Sequence, residues 1–162
     1  MANTISREAL MDDIRSGLSE GGGSEAALET VLGKLLLAFG CQVGTIHILD
    51  SATGMLKMRA CRGIPESILD KVKMIPIGKG MAGIAAERKQ AVQVCNLQTD
   101  DSGVAKPGAK DTRMEGSISV PMLVDGDLRG TVGVAKPIPY EFTEEESRTL
   151  LAAGSLIASL AT

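Results

Sequence analysis

The residues best equipped to do chemistry are one histidine, three cysteines and a glycine-rich run. His47 lies between Ile46 and Ile48 in an alternating apolar stretch, where a core or rim histidine of a strand is expected. No serine or cysteine stands in a pattern that would pair with it, so a Ser-His-Asp or Cys-His set is not expected. Cys41 is six residues away, about 20 Å along a strand, too far to share a metal ion with His47. Met55 and Met58, three apart on a strand, point to opposite faces. These spacings predict no metal site and no cofactor.

Cys41, Cys61 and Cys95 are an odd set without close spacing, which predicts free thiols rather than disulfides or a zinc motif. Cys95 is a possible redox residue if Lys110 or Arg113 lowers its pKa, and is otherwise inert. The run Gly78-Lys79-Gly80-Met81-Ala82-Gly83 fits G-x-G-x-x-G, with Asp100 and Asp101 seventeen and eighteen residues beyond Gly83. A dinucleotide fold needs a buried parallel strand before that run and a crossover helix after it. Pro76 before it and a new strand at Ala91 argue instead for a tight turn close to the sheet, with Lys79 exposed.

Asn96 to Gly116 is 21 residues with little apolar periodicity, long enough to suggest a binding loop or lid. It carries Lys106, Lys110 and Arg113 among Asp111 and Glu115, after Asp100 and Asp101. A solvated loop surface is one reading. The functional one closes Lys110 and Arg113 over an anionic or zwitterionic ligand, with Ser117 and Ser119 as hydrogen-bonding groups and Met81 and Ile84 as a wall. Asp100 and Asp101 complete the candidate ligand-binding set.

Helical spacing predicts an N-terminal helix over Thr4 to Leu18, ended at Gly21-Gly22-Gly23, and a second from a Ser24 cap to Gly40. Cys41 to Asp50 and Met55 to Arg62 read as a hairpin, Glu66 to Val72 and Ile84 to Arg88 as short helices, and Ala91 to Cys95 as a strand. Ser117 to Val124 and Leu128 to Lys136 form a second hairpin around Asp125-Gly126-Asp127. Taking these three residues as the loop puts Ile118, Val120, Met122, Val132 and Val134 on one face. Ser117, Ser119, Gly133 and Ala135 fall on the other, a small surface that leaves room for a ligand or seats a helix. Thr143-Glu144-Glu145-Glu146 is a capping box before a terminal helix. The order describes an α+β chain around one antiparallel sheet.

At 162 residues and 44% hydrophobic, the chain has the length and composition of one folded domain. A net charge of -3 and three aromatics offer little to phosphates or bases, so no nucleic acid partner is expected. No apolar stretch reaches membrane-spanning length and no signal peptide is evident, which predicts a cytoplasmic protein without a membrane partner.

The phrases "GTIHILDSATGML", "RGIPESIL", "IPIGKGMAGIAAERKQAVQV", "SISVPMLVDGDLRGTVGVAKP" and "FTEEE" fall in the order and spacing of a GAF domain, which the chain resembles from about Ser24 to its end. The resemblance implies a stand-alone GAF domain over residues 24–162, preceded over 1–23 by a helix and glycine linker. It implies a central antiparallel sheet with terminal helices on one face, and short helices and loops over a pocket on the other. It further implies a non-catalytic sensory module that binds a small molecule and signals as a homodimer to a separate protein. The alternative is a ligand-free dimerisation module. A third reading is a thiol enzyme like the GAF-type free methionine sulfoxide reductases. Those place cysteines where this chain has Met81-Ala82 and Lys110 to Glu115, so the resemblance does not carry their chemistry over. With no tryptophan, a compact ligand is expected rather than a stacked purine.

Overall fold

The computed structural model describes residues 6–105 and 107–162. Lys106 and the first residues of the expected N-terminal helix lie outside them. Helix α1, Arg7–Gly21, starts behind Ser6, whose hydroxyl accepts the Ala9 amide. Ser24 does the same for Ala27 at the head of α2, Glu25–Phe39, and Gly40 ends that helix in the left-handed region at φ 63°. Only Gly22, Gly23 and Ser24 separate the two helices.

The sheet comprises β1, Val43–Asp50; β2, Met55–Arg62; β3, Met74–Ile75; β4, Val92–Val94; β5, Ser117–Val124; and β6, Asp127–Ala135. Its order is β3-β2-β1-β6-β5-β4. Every neighbouring pair is antiparallel, so the glycine-rich run has no βαβ unit around it. Between strands lie α3, Glu66–Val72; α4, Gly80–Arg88; and α5, Pro107–Lys110, while α6, Glu144–Ala161, closes the chain.

The β5–β6 register inside the hairpin is the expected one, with Ser117 opposite Ala135 and Ser119 opposite Gly133. The tip differs. Val124 pairs with Asp127 across a two-residue turn, Asp125-Gly126, with φ of 52° and 82°. A register shift between Met122 and Leu123 restores the interior pairing, because a two-residue turn plus one bulged residue spans the same chain as a three-residue loop.

Alternation divides the hairpin into two environments. Ile118, Val120, Met122, Val132 and Val134 are buried in a core shared with Leu10, Ile14 and Leu18 of α1, Leu28, Leu32 and Leu35 of α2, and Leu150 and Ile157 of α6. Each fully buried leucine contributes about 1.5 to 3 kcal/mol by leaving water. α1 is therefore part of the same core as the sheet. The capping box at α6 is present, with the Thr143 hydroxyl accepting the Glu146 amide at 3.1 Å and Glu146 Oε1 accepting the Thr143 amide at 2.9 Å.

Two segments depart from expectation. α4 begins at Gly80, four residues before the expected start, because the turn holding Gly78 and Gly80 at positive φ leads straight into it. The long segment after β4 contains α5 and is pinned by its own groups. Gln98 Nε2 donates to the Lys110 and Met114 carbonyls at 3.0 and 2.8 Å. Leu97, only 2% exposed, packs with Met81, Val94 and Met114 in a second, smaller apolar cluster.

Candidate functional site

On the sheet face opposite the three long helices lies a cavity of about 550 Å³. Its floor is formed by Thr45 of β1, Ser117 and Ser119 of β5, and Gly133 and Ala135 of β6. These are the small residues that alternation assigns away from the main core. Gly80, Met81 and Ala82, the first turn of α4, form one wall, and Lys71, Val72 and Ile75 another. Leu97, Ala109 and Thr112 of the long segment close over it.

The glycine-rich run is shaped by contact. A Cβ on Gly83 would lie 2.4 Å from the Pro76 carbonyl oxygen, and the Gly78 amide donates to the Gly83 carbonyl at 2.8 Å. The run is thus a tight turn that folds back on α4 and presents that helix's first turn to the cavity.

Met81, Ser117 and Ser119 line the cavity. Ile84, Asp100, Asp101, Lys110, Arg113 and Cys95 lie outside its lining. Asp100 instead accepts the Ser102 hydroxyl at 2.8 Å, and Asp101, Lys110 and Arg113 are exposed. The charged residues at the lining are Lys71 and Lys79, and no carboxylate is among the described residues that line the cavity. Sequence reasoning left both lysines out of the site. Lys71 had a readable signal, since residues three and four after the buried Ile68 share its helix face, and these are Lys71 and Val72.

His47 is 1% exposed and ties the sheet to the cavity wall. Its Nε2 lies 2.7 Å from the Val72 carbonyl, which can only accept, so Nε2 carries the proton. Burial pushes the imidazole pKa below its usual range, opposed by the Val72 carbonyl, and the ring is neutral near pH 7. Its Nδ1 and the hydroxyl of Thr131, the facing residue on β6, are both buried without a hydrogen-bond partner. The ring is a strut between β1 and the end of α3.

The three thiols occupy different environments. Cys41 is buried among the helices, and desolvation pushes its pKa up to about 12. Cys61 is half-buried and its pKa is raised by desolvation and then by Glu29. Cys95 is exposed, just past the end of β4. Among the described residues, no group of three His, Cys, Asp or Glu side chains is placed to hold a metal ion.

The chain is similar in fold to the GAF domain of a phosphoenolpyruvate-protein phosphotransferase from Coxiella burnetii. That match has a TM-score of 0.81 at 19% identity, covering 98% of this chain and 94% of that one. It is also similar to a free methionine-R-sulfoxide reductase from Neisseria meningitidis solved with its substrate, with a TM-score of 0.75, 18% identity and coverage of 94% and 86%. A third likeness is to a putative GAF sensor protein from Burkholderia vietnamiensis, with a TM-score of 0.74, 21% identity and coverage of 96% and 92%. No curated protein matches the sequence. The family model for the GAF domain matches residues 23–160. With that match over most of the chain, and a six-stranded antiparallel sheet carrying a cavity on its small-residue face, the protein belongs to the GAF domain family.

Proposed function

We propose that the protein is a non-catalytic sensory or regulatory module that binds a small molecule in the cavity over β5 and β6. The observation that carries this reading is the bare floor. A cavity of about 550 Å³ lies over Gly133, Ala135 and two serines, in the size range of small-molecule sites. A sheet needed only for packing would fill that face with the branched residues found on its other side.

The placement of the thiols favours binding over thiol chemistry. Cys41 and Cys61 are held protonated by burial, and Cys95 lies outside the cavity lining. His47 is engaged with Val72, and no carboxylate shares the lining with a nucleophile.

The signalling route we propose is a homodimer through α1 and α6, acting on a separate protein. The outer sides of these helices form a groove lined by Met11, Ala152 and Leu156 together with Arg7, Arg15, Ser155 and Ser159, and Leu160 of α6 is 43% exposed. A ligand that favours one helix packing over another would shift the populations of the two.

Ligand binding is tested by titrating cellular small molecules against the wild-type chain and a variant whose floor is filled, Gly133→Val. Saturable binding lost in the variant supports the module. Equal binding to both moves the site elsewhere. Light scattering across a dilution series tests the dimer, and a monomer at every concentration removes that route.

A further inference from the structure

Resting on the cavity's reading as a ligand pocket, we infer that its ligand is a free small molecule whose recognised part is a flexible aliphatic chain, an alkyl or acyl group, rather than a planar heteroaromatic ring. Three observations converge on it.

The first is the wall. Val43, Ile64, Val72, Ile75, Met81 and Leu97 line the cavity. Ile64, Val72 and Ile75 are only half-buried, although each presents branched aliphatic carbon. Covering such surface with hydrocarbon is favourable because it removes the surface from water. Met81, unbranched and with three rotatable bonds, adapts to chains of different length and bend.

The second is the chemistry the lining lacks. Among the described residues that line the cavity there is no aromatic ring, carboxylate, side-chain amide, imidazole or guanidinium. A nucleobase or similar ring is held by stacking and by paired donors and acceptors along its edge. The uncharged polar side chains present are the hydroxyls of Thr45, Thr112, Ser117 and Ser119. A hydroxyl both donates and accepts, so these groups accommodate a single polar head without selecting a patterned edge. Lys71 and Lys79 are exposed, so their ammonium groups stay in water and require no partner from the ligand.

The third is the smaller apolar cluster. Val43, Met81, Leu97 and Ala135 belong both to the lining and to that cluster, which joins β1, α4, β6 and the long segment. A hydrocarbon chain laid against them extends the cluster and links the sheet to the long segment through contacts that need no directional partner. With Leu97, Ala109 and Thr112 closing over about 550 Å³, the site suits a free molecule of limited length rather than a lipid surface.

The test titrates 1-butanol, 1-hexanol, 1-octanol and adenosine into the full chain and follows the methyl resonances of Ile75, Met81 and Leu97. The expected result is an affinity that rises from butanol to octanol by about four-fold per added methylene, the ~0.8 kcal/mol of a buried methylene, with adenosine leaving the methyls unmoved. Ile64→Thr and Ile75→Thr keep the β-branch and should each weaken 1-octanol several-fold. Equal affinity for the three alcohols, adenosine binding more tightly than 1-octanol, or unchanged 1-octanol binding in both variants overturns the aliphatic assignment while the pocket stands. Shifts with dioleoylphosphatidylcholine vesicles but not with 1-octanol would make a lipid surface the source and overturn the free ligand. If no probe moves those methyls, both the aliphatic assignment and the ligand pocket fall.

Discussion

Ser119 Oγ sits 2.9 Å from the point a Cβ of Gly133 would occupy, so one strand's serine roofs the empty position on its neighbour. This contact separates two kinds of glycine in the sheet. At Gly133 the nearest obstacle is a hydroxyl that can rotate away, and beyond it lies the cavity. At Gly44 a Cβ would meet Leu32 Cδ1 and Leu36 Cδ2, each at 2.9 Å, inside the packed helix layer.

Gly133→Val is therefore expected to cost less than about 1 kcal/mol, because the Ser119 hydroxyl at 2.9 Å can rotate away and the new methyl groups then enter the cavity. Gly44→Val must displace two leucines and is expected to cost about 1 to 3 kcal/mol or more. Urea denaturation of both variants checks the contrast, and equal costs would contradict the assignment of the two faces.

Much of that contrast was readable in the amino-acid order. The hairpin from Ser117 to Ala135 alternates bulky with small residues, and alternation fixes faces once the pairing is known. The bulge near Met122 was not readable, because a three-residue loop and a two-residue turn with one bulged residue satisfy the same pattern. The start of α4 was hidden by its glycines, which weaken any helical signal. Lys110 and Arg113 drew attention through charge on a long loop. The cations at the cavity rim are Lys71 and Lys79, placed there by a helix face and a cap position, which a charge count along the chain does not reveal.

His47 predicts a pH dependence of defined sign. Its folded pKa lies below the ordinary 6.5, so between the two values the unfolded chain binds a proton that the native chain does not. Stability from this group therefore rises with pH through that window, is flat above about pH 6.5 and levels off again below the depressed value. Denaturation midpoints across pH 4.5 to 8, compared with His47→Gln, check this. An unchanged slope in the variant would assign the dependence to other groups.

Thiol accessibility is expected to follow burial. A thiol-specific reagent at pH 8 should modify exposed Cys95 first and Cys61 more slowly. Cys41, with its pKa near 12, should react only on unfolding. Mass spectrometry of modified peptides over time reads the order, and early labelling of Cys41 would contradict its burial.

The capping box is expected to be worth about 1 kcal/mol at the start of α6, so Thr143→Ala should lose roughly that amount. Glu146→Ala should lose at least as much, since Glu146 Oε1 also accepts the Tyr140 hydroxyl at 2.7 Å. Thermal melts of both variants measure it, and two neutral substitutions would contradict the assignment.

The central claim is that the cavity over Gly133 holds a small-molecule ligand. Its most direct test is a thermal-melt screen of small cellular organic acids, alcohols and amines against the wild type and Gly133→Val side by side. A ligand at 100 times its Kd stabilises by about 2.7 kcal/mol, which corresponds to roughly 5 to 10 °C for a chain of this size. The account predicts a shift of that order in the wild type, for one or a few of the compounds, and none in the variant. Equal shifts in both proteins, or no shift with any compound, would contradict it.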